Sequence, residues 1–208
     1  MSAYRNFVND FPDRCLEVLE MAAGKARLGG REVTLLLMAA SMSLVVPLER
    51  LKTKGNGDSH PIGDVELFPN AARSLSDLLT APFIGSAIWP YESSESWKLA
   101  RELKSISGDP EQWLPENKLK PISKEKRSKA ILDLIRNALA HGSLFTRGKQ
   151  IEEIIFVSFH WKSTPEGSPC EWSSFDALVV SPADLKDLLR KWVEFLKTSD
   201  FVELIRAA

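Results

Sequence analysis

Cysteine and histidine are scarce in this chain of 208 residues, and their scarcity removes most metal chemistry at once. The two cysteines, Cys15 and Cys170, show neither ligand spacing nor a disulfide framework, so a reducing compartment is expected. The three histidines, His60, His141 and His160, lie far apart and form no His-Glu-x-x-His pair, so no metal and no other cofactor is expected. Phosphate-cradling glycine loops are missing as well, since neither Gly29-Gly30 nor Gly55–Gly63 has the required spacing. No Gly-x-Ser-x-Gly elbow offers a serine nucleophile. The N-terminus lacks the basic-then-apolar layout of a signal peptide. The strongest apolar run, Val33 to Leu48, is interrupted by Thr34, Ser41, Ser43 and Pro47. It falls short of the ~20 apolar residues that cross a bilayer. It reads as a buried core helix, and a cytoplasmic protein with no membrane partner is expected.

Hydrophobic residues make up 44% of the chain, enough to bury one substantial core. The net charge of −1 conceals a segregation. Between Lys118 and Lys149, nine cations face only Glu125 and Asp133, which leaves that segment at +7 and the remainder at −8. A basic segment on an otherwise acidic chain is the footprint of a phosphate-backbone site. It nominates Lys124, Lys126, Arg127, Lys129, Arg147 and Lys149 as contacts for a nucleic-acid backbone. The same cations would also suit a solvated helix entrance.

Apolar residues recur at helical spacing over Ser2–Leu28, with Pro12 as an alternative start, and over Arg31 to about Lys52. Gly55-Asn56-Gly57-Asp58 ends the second helix. A short helix is expected at Ser74–Thr80, and another at Ser94–Ser107 from the spacing of Trp97, Leu99, Leu103 and Ile106. Gly108 to Pro121 reads as a connector. Ser123–His141 is a helix closed by Gly142. The period then changes: Ile151–Trp161 and Trp172–Val180 are β-branched and aromatic, joined by the turn-rich Ser163–Pro169, with Trp161 and Trp172 able to pair across the hairpin. Ser181-Pro182-Ala183-Asp184 starts a last helix. His60, in a polar loop, and His160, alternating with Phe159 and Trp161, read as structural or surface residues.

The helix Ser123–His141 ends in Arg136-Asn137-Ala138-Leu139-Ala140-His141-Gly142. Cleavage of RNA without a metal proceeds by attack of a ribose 2′-OH on the adjacent phosphorus, leaving a cyclic phosphate and a 5′-OH. It needs a proton acceptor, a proton donor and a cation for the phosphorane oxygens. An imidazole changes charge near neutral pH, a guanidinium fork holds two phosphate oxygens, and a carboxamide orients a neighbour. At ~100° per residue, the apolar residues from Ile131 to Leu139 span about 160° of arc, and Arg136 lies about 140° from His141. One straight helix therefore does not bring Arg136 and His141 together, and a site built from them needs a frayed end or a second copy. A simpler reading pairs Arg136 with Asp133 and makes His141 a cap for the last carbonyls.

This segment resembles the Arg-x(4–6)-His motif of HEPN domains (higher eukaryotes and prokaryotes nucleotide-binding), including the polar residue after the arginine. The resemblance implies an antiparallel helical bundle, and with the change of period read above the expected fold is mainly α, with a small antiparallel β-hairpin element near the C-terminus. One domain would fill residues 1–208, with the β element at about 149–180 and the C-terminal helix at about 182–198. The resemblance implies a metal-independent endoribonuclease of the toxin or defence kind, with Arg136, Asn137 and His141 catalytic, and RNA as substrate and as the backbone that the nominated cations would hold. It also implies a homodimer whose motif helices face each other, and an antitoxin protein as a candidate partner. The alternative is a non-catalytic dimer that binds RNA or protein. HEPN toxins silenced by a nucleotidyltransferase carry a tyrosine soon after the motif histidine. Here Gly142, Ser143 and Leu144 follow, and the only tyrosines are Tyr4 and Tyr91, so that control is not expected.

Overall fold

Among the described residues five strands pair where the sequence suggests two or three. The computed structural model describes residues 7–51, 65, 68–93, 95–162 and 171–206. The strands are β1 (Lys98–Leu103), β2 (Lys120–Pro121), β3 (Leu144–Arg147), β4 (Glu153–Trp161) and β5 (Trp172–Val180). They form one sheet of order β2-β1-β5-β4-β3, with every neighbouring pair antiparallel. The expectation of a mainly α bundle with a small hairpin is overturned: the fold is α+β, built on a sheet that spans the chain. The hairpin register runs from Ile154 opposite Val180 to Trp161 opposite Trp172, so those two tryptophans do pair.

The helix expected over Ser94–Ser107 is where the helical bundle fails. Leu99, Leu103 and Ile106 have helical spacing, yet Lys98–Leu103 is β1. From Ser174 to Val180, β5 is buried on both faces, and such a strand needs a hydrogen-bonded neighbour on each edge. β1 supplies one of them. Its own alternation is broken by a register shift between Ala100 and Leu103, where Glu102 takes φ +55°. A bulged strand hides its period of two.

Alternate residues of the sheet face two different cores. Ile154, Phe156, Leu178 and Val180 join the helices α1 (Phe7–Leu28), α2 (Glu32–Ala40), α3 (Val46–Arg50), α4 (Pro69–Thr80), α6 (Ser128–His141) and α7 (Pro182–Arg206). Ile155, Val157, Phe175, Ala177 and Val179 face the other way, under Trp113 of α5 (Pro110–Trp113), Leu114 and Leu119. α7 starts as expected, with Pro182 leading and the Asp184 N–H donating to Ser181 Oγ at 3.1 Å. It continues to Arg206, past the expected end. The hydroxyls of Thr198 and Ser199 turn back onto carbonyls of Glu194 and Phe195 and do not interrupt it. His60-Pro61, Gly55–Asp58, Cys170 and the Ser163–Pro169 connector lie outside the described residues.

Glu32–Arg50 is long and apolar enough to cross a membrane, with a mean hydropathy of 1.6. Here Val33, Leu36, Ala40, Leu44 and Leu48 are buried in the helical core. Between α2 and α3 the segment relaxes into a π turn, Ser41–Val45. The cause lies at Pro47, which has no N–H to give the Ser43 carbonyl four residues back. Trp192 of α7 fills the vacancy, its Nε1–H donating to the Ser43 carbonyl at 2.7 Å. Trp192→Phe keeps most of the ring volume but leaves that buried carbonyl unpaired. It should cost about 1–3 kcal/mol, read as a lower denaturant midpoint at unchanged slope.

Candidate functional site

α6 begins at Ser128 rather than Ser123, because the residues before it are used to join two segments. The Lys126 carbonyl accepts the Phe83 N–H at 2.8 Å, and Arg127 keeps extended backbone in a bridge to Pro82. Ser128 Oγ then donates to the Pro82 carbonyl at 3.3 Å. The helix ends where expected. Gly142 takes the left-handed conformation at φ +66°, and the Ser143 N–H returns to the Ala138 carbonyl at 2.9 Å. The Ser143 carbonyl in turn accepts the Val157 N–H at 3.0 Å, which pins the end of α6 beside β4.

Sandwiched between the helices and the sheet, α6 exposes only a stripe of its surface. Ile131, Leu132, Leu134, Ile135, Ala138 and Leu139 are buried. Lys129, Ala130, Asp133, Asn137 and Ala140 face outward, with Arg136 on one border and His141 on the other. The angular separation of Arg136 and His141 thus persists in the folded chain. Arg136 is turned toward α3 and its own helix, with Nε 3.2 Å from Glu49 Oε1 and Nη2 3.8 Å from Asp133 Oδ1. The His141 imidazole makes no hydrogen bond or ion pair with a described residue, so it does not cap the helix.

β3 pairs with β4 as far as Phe156, and the Ser143 carbonyl takes the Val157 N–H; beyond that no described strand pairs with the outer edge of β4. There a cleft of 590 Å³ opens, lined by Asn137, His141, Ser143, Ser158, Phe159 and the Trp161–Trp172 pair. Its size lies within the roughly 300–1,000 Å³ of small-molecule sites. Asn137 Nδ2 donates to Ser158 Oγ at 3.2 Å, joining α6 to the sheet. Trp161 is 62% exposed and Trp172 36%, so these rings form an open aromatic wall and not a core anchor.

Two further hollows continue the cleft. The first, of 310 Å³, shares Asn137, Ser158 and Phe159 with it and adds His160, Asp176, Arg101 and Lys126. The second, of 530 Å³, shares Arg101 and Lys126 with the first and adds Lys118 and Lys120, with no carboxylate among its lining residues. Of the cations nominated from the sequence, Lys126 therefore lies in the groove. Burial foremost, then the charge of Arg101, pushes its pKa below the usual lysine value. Lys124, Arg127 and Lys149 are exposed, and Lys129 pairs with Asp133.

Arg147 is not brought to the groove. Its guanidinium lies 2.5 Å from Glu153 and 3.3 Å from Glu116, and donates to the Leu114 carbonyl at 3.4 Å. Burial opposes its charge, but the hydrogen bond and charge of Glu153, helped by Glu116 and Glu111, hold its pKa above the ordinary arginine value. It ties β3 to the segment covering the far face of the sheet. Arg101, His160 and Asp176 are the site residues that the sequence pattern does not single out. One signal was available: Ser158 and His160 continue, at period two, the row of Ile154 and Phe156 that enters the core. Among the described residues no group of three or more His, Cys, Asp or Glu side chains could hold a metal ion.

The sequence profile of the family described as HEPN pEK499 p136 matches residues 1–202. Neither the curated proteins nor the solved structures hold a significant match to the chain.

Proposed function

Because the chain belongs to the HEPN pEK499 p136 family, we propose that it acts on RNA as a metal-independent endoribonuclease, working as a two-fold dimer. Family membership fits a HEPN-type nuclease or RNA-binding module. The observation that carries the nuclease reading is the stripe of α6, bordered by Arg136 and His141 and narrowed at its centre by Ala140. A second copy of α6 laid across that small residue would set the Arg136 of each copy against the His141 of the other, since a two-fold contact pairs residues reciprocally. A phosphodiester would compete with Glu49 and Asp133 for the Arg136 fork. His141 would move a proton, and Asn137, anchored by Ser158, would border the reacting sugar. The open Trp161–Trp172 wall suits unstacked bases of single strands and loops.

The binding-module reading is favoured by one fact, that Arg136 already has two carboxylate partners. Incubating the purified protein with structured RNA in EDTA separates the two. Fragments with cyclic phosphate and 5′-OH ends support the nuclease, and binding without fragments supports the module.

A further inference from the structure

Beside the outward stripe of α6, the row of residues on the helix-facing side of the sheet turns from apolar to polar. Phe156 opposite Leu178 is buried in the helical core; the next pair outward on the same face is Ser158 opposite Asp176, and the next is His160 opposite Ser174. Asp176 is 9% exposed, yet its carboxylate accepts two hydrogen bonds and lies beside an imidazole. The Glu102 backbone N–H donates to Oδ1 at 3.0 Å, at the bulge of β1; Arg101 Nε donates to Oδ2 at 3.4 Å. His160 Nε2 lies 3.2 Å from Oδ1. A buried carboxylate held in this way acts as an orienter. With Nε2 on the carboxylate side at 3.2 Å, Nδ1 is the ring nitrogen left to face a ligand. The His160 side chain is 47% exposed, so a ligand can reach it. Its hollow also holds Arg101 and Lys126, and shares Asn137, Ser158 and Phe159 with the His141 cleft.

We propose that His160, held by Asp176, is a second proton-transfer residue, and that Arg101 and Lys126 hold a phosphate of single-stranded RNA in the same chain. The inference rests on the ribonuclease reading and deepens it, because one imidazole cannot be both base and acid within a single displacement. His160 Nδ1 takes the proton of the ribose 2′-OH while O2′ bonds to phosphorus. The P–O5′ bond breaks, and O5′ takes a proton from the His141 imidazolium. One histidine gains the proton that the other loses, and the products are a cyclic phosphate and a 5′-OH. Asp176 acts through His160 and is a positioning residue.

The test compares the full-length wild type with His141→Ala, His160→Ala, Asp176→Asn and Arg101→Ala on labelled single-stranded RNA in EDTA. His160→Ala should lower kcat by roughly 10²–10⁴-fold with RNA binding retained, as expected for one general acid–base group, and added imidazole should restore part of the rate. Asp176→Asn should lower kcat without raising KM, whereas Arg101→Ala should raise KM. Asp176 is buried and its replacement can unfold the chain, so the half-exposed His160 decides, with its thermal midpoint matched to wild type. Full kcat in His160→Ala beside an inactive His141→Ala overturns this inference and leaves the ribonuclease reading standing. Undiminished cleavage by His141→Ala, or none by the wild type, overturns both.

Discussion

His141→Ala should abolish RNA cleavage while the protein stays folded and still binds RNA. Removing one positioned proton-transfer group costs roughly 10²–10⁴-fold in rate. The substitution is also structurally quiet. His141 is exposed at the last position of α6, its imidazole contacts no described residue through a hydrogen bond or ion pair, and the helix end is held by Gly142 and the Ser143 N–H instead. Surface changes of that kind usually stay within about 0.5 kcal/mol of wild type. Arg136 is a less clean probe, because Arg136→Ala also strands Glu49 and Asp133. Cleavage assays run beside denaturant melts separate the two effects. Wild-type rates from His141→Ala would remove the residue from the chemistry.

Reversing the charge of Lys124, Lys126 and Arg127 to glutamate should weaken RNA binding strongly and flatten its dependence on salt. Each phosphate contact contributes about −0.7 to the log–log slope for a single strand, so three contacts would remove about 2 from it. Lys126 lines the groove from the His160 hollow to the basic end, and Lys124 and Arg127 flank it on the exposed approach to α6. The folded state should tolerate the change at Lys124 and Arg127, which contribute no buried side chain. Titrations at several salt concentrations read the slope directly. A slope equal to wild type would confine these cations to solvation.

The sequence carries α6 more fully than the rest of the fold, because that helix has a strong period, a glycine stop and a continuous apolar arc. Counting angles along it places Arg136 and His141 on opposite borders of the exposed stripe, and the folded chain keeps them there. The β4–β5 hairpin is equally readable, since β-branched and aromatic runs flank a turn-rich connector and put Trp161 opposite Trp172. β1 is not readable. Its bulge at Glu102 breaks the alternation, and its strand character comes from the exposed edge of β5, more than seventy positions away in the chain. Arg101 escapes for the same reason, since only the pairing of β1 brings it onto Asp176. His160 reaches Asp176 across the readable hairpin and is missed because its alternation with aromatic residues reads as surface. Arg147 fails in the opposite sense. Local composition groups it with the basic segment, while the fold spends it on Glu153, Glu116 and the Leu114 carbonyl.

The most direct measurement mixes two inactive variants, His141→Ala and Arg136→Ala, after allowing subunits to exchange. If each site takes Arg136 from one copy and His141 from the other, a mixed dimer regains one complete site and loses the other. With half of the dimers mixed, cleavage should return to about a quarter of the wild-type level, as two-fold pairing of residues requires. The two variants assayed separately should stay inactive. A mixture as inactive as its components, from chains shown by sedimentation to have exchanged, would contradict a site shared between two copies of α6.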